Sequence, residues 1–192
     1  MTDTIEKLHM TAAEYLAWER EQPEKHEYHR GVIVPWAGRS LRHNCLSAAI
    51  CGELHLALRG RQCHVLTSAQ RISALRHQQY VYPDVVAVCG GVRLEQGTTD
   101  VLANPLIIVE VLSSSTEKFD RGDKWAAYQR LESLKDYLLV AQVAARIEHF
   151  QRQPDGSWRY LPIEAGGAIL LSNGARLMID DIYVGAFELA GD

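Results

Sequence analysis

An α/β fold, more strictly α+β, is predicted by three features of the sequence. It consists of a mixed central sheet flanked by helices, with extra β-strands at both ends. Short β-branched runs, such as Val85-Val86-Ala87-Val88 and Leu106-Ile107-Ile108-Val109, read as buried strands. Between such runs, the stretch from Leu41 to Leu58 sets Leu46, Ala49, Ile50, Leu54 and Ala57 at helical spacing. No Pro/Ser-rich linker or internal repeat interrupts the 192 residues, so a single domain over residues 1–192 is expected.

In chain order, Thr11-Ala12-Ala13-Glu14 has the form of a capping box, and the helix it opens should stop before Pro23. His26 to Trp36 reads as two strands turning at Arg30-Gly31. The Leu41–Leu58 helix ends at Gly60, and strands follow at Cys63–Thr67 and Gln70–Ser73. Two strands bearing carboxylates come next, Tyr82–Val88 and Pro105–Leu112, joined by a loop around Gly90 to Asn104. Ser113 to Thr116 supplies turn and cap chemistry before a helix expected from about Arg121 to Leu131. Strands are then expected at Tyr137–Ala141, Ala145–Phe150 and Trp158–Ile163, the last entered through the Pro154-Asp155-Gly156-Ser157 turn. Shorter ones close the chain around Ile169–Leu171 and Ala175–Ile179.

Composition excludes several classes. A hydrophobic fraction of 47% with 23% charged residues is that of a globular protein, and no apolar run approaches a membrane span. The acidic start, Met1 to Lys7, is not a secretory signal, so a cytoplasmic location is expected. Cys45, Cys51, Cys63 and Cys89 lack metal-ligand spacing and are expected to be reduced, packed thiols. The net charge is -4, yet Arg39, Arg42, Arg59, Arg61, Arg71 and Arg76 face a single acid, Glu53, between residues 39 and 77. That basic segment is either a solvated face or a nucleic-acid track.

Asp84 and Glu110 carry the chemistry. A carboxylate within a β-branched run is expensive to bury unless it is paired or holds a cation. Strands lie about 4.8 Å apart, so two such carboxylates on neighbouring strands can converge on one ion. Mg²⁺ or Mn²⁺ is the expected cofactor, because these ions take one or two carboxylates with water and phosphate oxygens. The Val111 carbonyl could add a further oxygen. Lys124 and Tyr128 share a helix face four residues apart, which places a cation near the pair; Lys118 competes for that role.

These residues resemble the PD-(D/E)XK nuclease superfamily and, within it, the restriction-endonuclease family called Uma-two. The resemblance rests on Tyr82-Pro83-Asp84-Val85-Val86, on Ile108-Val109-Glu110-Val111-Leu112-Ser113, and on Asp120-Arg121-Gly122-Asp123-Lys124 followed by Tyr128. Glu27-Tyr28-His29-Arg30-Gly31 and Glu132 to Val140 also match, so it spans about Thr11 to Ile179. It implies a restriction endonuclease-like core and metal-dependent hydrolysis of DNA phosphodiesters, with RNA not excluded. Asp84 and Glu110 would be metal ligands, with Lys124 assisting. The superfamily pattern puts its lysine two residues after the acid, where this chain has Leu112; the family moves it to the next helix, at Lys124. Glu27 would reach the metal through water. Arg42, His43, Arg71 and Tyr128 are the candidate nucleic-acid contacts. Whether a homodimer is needed to cut both strands stays open.

Rival chemistries lack their patterns. The histidines show no His-x-x-x-His pair, and there is no Gly-x-Ser-x-Gly elbow and no phosphate-binding glycine loop. The alternative from another class is a non-catalytic nucleic-acid-binding or regulatory module on a nuclease fold, which the intact Asp84, Glu110 and Lys124 disfavour.

Overall fold

The computed structural model describes residues 9–36, 40–75 and 77–191. The charge assignments to Arg39 and Arg76, and the reading of residues 1–7, lie outside these residues. The elements are α1 (Ala12–Glu19), β1 (His26–His29), β2 (Val32–Pro35), α2 (Leu41–Ala57), β3 (Cys63–Thr67), β4 (Arg71–Ser73) and β5 (Gln79–Val81). They continue with β6 (Val85–Cys89), β7 (Val101–Leu102), β8 (Ile107–Val111), α3 (Glu117–Phe119), a π-helical turn (Asp120–Lys124) and α4 (Trp125–Tyr128). β9 (Asp136–Val140), β10 (Arg146–Arg152), β11 (Trp158–Glu164), β12 (Ala168–Leu170), β13 (Arg176–Met178), α5 (Ile179–Tyr183) and a 3₁₀ turn (Ala186–Glu188) complete the order.

The central sheet runs β11-β10-β9-β8-β6-β3, and β8–β9 is its parallel pair, so it is mixed as expected. Parallel neighbours need a crossover rather than a hairpin. Here the crossover occupies residues 112–135, and it brings α3, the π turn and α4 back over the sheet. Alternation along the strands divides the core in two. Val85, Ala87, Ile107 and Val109 face Leu46, Ile50 and Leu54 of α2 and Ile179 and Ile182 of α5. Val86, Val88 and Ile108 face Ala127, Tyr128 and Tyr137 on the other side. A second sheet, β2-β1-β5-β4-β7, packs with α1 around Tyr15, Tyr28, Ile33 and Tyr80, and β12–β13 forms a two-stranded ribbon.

Local chemistry accounts for several boundaries. Thr11 and Glu14 make the reciprocal capping box of α1. Arg30 and Gly31 both have positive φ, 51° and 97°, as a tight β1–β2 hairpin requires. Other boundaries correct the expectation. The helix runs from Glu117 to Tyr128 and begins a turn before Arg121, because Thr116 and Ser113 already close the entry with hydroxyl contacts. β5 and β7 are too short for a sequence period to reveal, and the final strand stops at Met178, where α5 begins.

The cysteines also depart from the reading as packed thiols. The antiparallel register sets Cys63 directly opposite Cys89, and the two are joined by a disulfide; Cys45 and Cys51 are free.

Candidate active site

β6 and β8 pair antiparallel with Val85 opposite Val109. One step further along that register, Asp84 stands opposite Glu110. Side chains directly opposite have Cβ atoms about 5 Å apart. Both carboxylates are buried, at 4% and 1% exposure. Asp84 Oδ2 accepts the backbone N–H of Val111 at 2.8 Å and lies 3.3 Å from His43 Nε2. Glu110 Oε1 accepts from Tyr128 Oη at 2.7 Å and from Lys124 Nζ at 3.2 Å.

Lys124 is the centre of the arrangement. Its side chain is 2% exposed, and its amine sits 3.2 Å from Glu27 Oε1, 3.2 Å from Glu110 Oε1 and 3.3 Å from Asp120 Oδ1. A π turn admits one extra residue into the helix and often marks a functional position. Here the turn begins at Asp120 and ends at Lys124, so the extra residue lies between the two charges it brings together.

One buried ammonium cannot neutralise Glu27, Asp84, Glu110 and Asp120 together. Burial raises the pKa of Glu110, and Asp120, Asp84 and Glu27 add to the rise against the pull of Lys124. Asp120 is raised mainly by burial, which Lys124 and the Thr116 hydroxyl oppose. Glu27 goes the other way: burial opposes its ionisation, but Lys124, His29 and the Tyr82 N–H outweigh it and hold the carboxyl down at about 2. Burial works against the charge on Lys124, yet Glu110, Glu27 and Asp120 hold its pKa well above the ordinary value.

This donor set fits a hard, oxygen-preferring dication. Asp84 sits one residue before β6, at the register position opposite Glu110, and the buried Asp120 Oδ1 has the Lys124 amine 3.3 Å away. Among the described residues no group of three or more His, Cys, Asp or Glu side chains is arranged as a metal cage. Mg²⁺ does not need one, since water and substrate oxygens complete its octahedron.

The structure gathers Asp84, Glu110, Val111, Lys124, Glu27, His43 and Tyr128, though several do other work than expected. His43 is 1% exposed against Asp84, and Tyr128 is fully buried against Glu110, so both brace carboxylates instead of facing a strand of nucleic acid. Val111 engages Asp84 through its N–H. Arg42 and Arg71 lie elsewhere. The Arg42 guanidinium donates to the carbonyls of Gln142, Ala186 and Leu189, clamping the C-terminal segment. Arg71 is 4% exposed, paired with Asp100 and set over the rings of Tyr15 and Tyr82. Lys118 is exposed and outside the cluster. Asp120 was missed by sequence reasoning; its signal was the i, i+4 spacing to Lys124.

The family model described as "Putative restriction endonuclease", Uma2, matches residues 12–180. Uncharacterized protein slr1290 of Synechocystis sp. is 35% identical over 177 residues, 92% of each chain. A second protein of that organism, sll1609, is 36% identical over 149 residues, 78% of this chain and 84% of its own. In structure, the chain resembles a putative nuclease of DUF820 from Anabaena variabilis at a TM-score of 0.73. That likeness covers 92% of this chain and 99% of the other, and at 14% identity it shows the fold alone. With most of its length matched by the family model and by relatives above one-third identity, the chain belongs to the Uma2 restriction-endonuclease family.

Proposed function

We propose that this protein is a Mg²⁺- or Mn²⁺-dependent endonuclease that hydrolyses DNA phosphodiester bonds. The observation that carries the reading is the buried set of three carboxylates, Glu27, Glu110 and Asp120, around one lysine, with a fourth, Asp84, at the register position opposite Glu110. Such an excess of buried acid is stable only with a counter-ion or with protons.

Asp84 and Glu110 would hold the ion, and the Val111 carbonyl would add a further oxygen. When bound, the ion supplies Lewis acidity to the phosphate and lowers the pKa of a water. The protein's own groups do the rest. The Val111 N–H and His43 fix Asp84, and Tyr128 fixes Glu110. Lys124 offers its amine for the attacking water or the charge developing on the phosphate. Glu27, ionised and held by the Tyr82 N–H, keeps that amine protonated and in place.

Titration with Mn²⁺ by calorimetry should show binding to the wild type and none to Glu110→Gln or Asp84→Asn. With Mn²⁺ the wild type should nick plasmid DNA, and both variants should lose at least about a hundredfold of that activity while folding normally. Metal binding without cleavage of DNA or RNA would favour the non-catalytic module; unaltered cleavage by the two variants would overturn the assignment of the ligands.

A further inference from the structure

A cavity of about 150 Å³ opens beside the cluster, lined by Glu27 and Lys124 on the charged side and by His29, Trp36 and Phe119 as rings, with the Thr116 hydroxyl also on its wall. His29 and Phe119 meet edge to face, with centroids 4.6 Å apart. The rings of His29 and Phe119 also line a second cavity of about 250 Å³, whose other members include the exposed Arg30 and Arg130 together with Asp123. So two hollows share a wall: one ringed by aromatics at the carboxylates, the other flanked by two arginines.

We propose that the smaller cavity receives a single unstacked pyrimidine of a single-stranded segment, with the adjoining backbone phosphates passing Arg30 and Arg130. This rests on the nuclease reading above and names its substrate more narrowly. Three arguments carry it. A volume near 150 Å³ is the size that accommodates one benzene-like ring, which admits a pyrimidine more readily than a two-ring purine. Ring-lined walls hold bases by stacking without needing their pairing edges. Lys124 and Glu27 belong both to the cavity and to the cluster, so a base seated there brings its own phosphate beside the Lys124 amine. An enzyme that must extrude or find an unpaired base meets the least resistance in single strands and mismatches.

The test does not depend on cleavage. In chelator, short oligothymidylate carrying one iodouracil is irradiated with the full chain, and the cross-linked peptide is mapped by mass spectrometry. Attachment at Trp36, His29 or Phe119 is expected. Val34→Trp, which plugs the half-exposed rim from β2, should remove it. Phe119→Ala should weaken oligothymidylate binding by about fivefold or more, and oligoadenylate should bind less well than oligothymidylate. Cross-links confined to other segments, no binding at all, or equal affinity for oligoadenylate would overturn the proposal. Cross-linking at these rings with no cutting in Mn²⁺ supports the cavity and removes the nuclease reading. Cutting without such cross-links does the reverse.

Discussion

Glu110 shows most directly what burial does to a single residue here. Its pKa is raised above the ordinary 4.5, chiefly by burial and by Asp120, Asp84 and Glu27. In the unfolded chain the group ionises near 4.5, whereas the folded chain holds its proton longer. Glu110 therefore costs nothing below that pH, and in metal-free protein its penalty grows as pH climbs from there toward neutrality. Each tenfold change in acidity is worth about 1.4 kcal/mol. Denaturant unfolding in chelator should show Glu110→Gln gaining on the wild type as pH rises above 4.5; parallel curves would remove this account. Tyr128→Phe deletes a donor to the same carboxylate and should cost about 1–3 kcal/mol, read in the same experiment. Asp84, Glu110 and Lys124 were legible because each is a polar residue out of place in its local pattern. Asp120 was not, because an acid beside a helix looks like ordinary first-turn chemistry until tertiary structure buries it. Arg42 and Arg71 misled for the opposite reason: counting charges along the chain is blind to the carbonyls and rings that occupy them.

At the scale of elements, the crossover from β8 to β9 decides where the lysine lies. Position 112, two residues after Glu110, holds a leucine, and the lysine that meets Glu110 comes from the π turn instead. Gly122 is exposed, and a Cβ added there would meet nothing beyond its own helix within 4 Å. Deleting it would restore ordinary winding, bring Asp120 and Lys124 to i, i+3 spacing and shift the amine against its carboxylate partners. Cleavage in Mn²⁺ should then fall at least about a hundredfold while far-ultraviolet circular dichroism is retained; full activity would show that the turn does not position the amine. Periodicity found α1, α2 and the long strands, since each repeats its pattern over more than one period or carries a cap. It could not find the π turn, β5 or β7, which carry neither a repeated pattern nor a cap of their own.

Across the whole molecule, α2 holds the C-terminal segment against the core. The Arg42 side chain reaches Gln142, Ala186 and Leu189, and its backbone N–H donates to the carbonyl of Ala190. Arg42→Ala should lower unfolding stability by about 2 kcal/mol while leaving the salt dependence of nucleic-acid binding unchanged. A flatter salt dependence with unchanged stability would return Arg42 to the substrate side. The mixed sheet and its flanking helices were readable from strand and helix patterns. The division into two sheets was not, because β1, β4, β5 and β7 pair across long sequence separations that no local pattern encodes.

Lys124 has one more consequence, for the order of events in the life of the chain. Small metalloproteins whose ligands only repel one another must capture their ion in order to fold. Here the chain carries its own monovalent counter-ion at the crowded centre, so folding does not wait for an ion, and the dication of the proposed function would load as a separate step. Lys124→Met would fuse those steps. It should melt well below the wild type in chelator and recover more than the wild type does when Mn²⁺ is supplied.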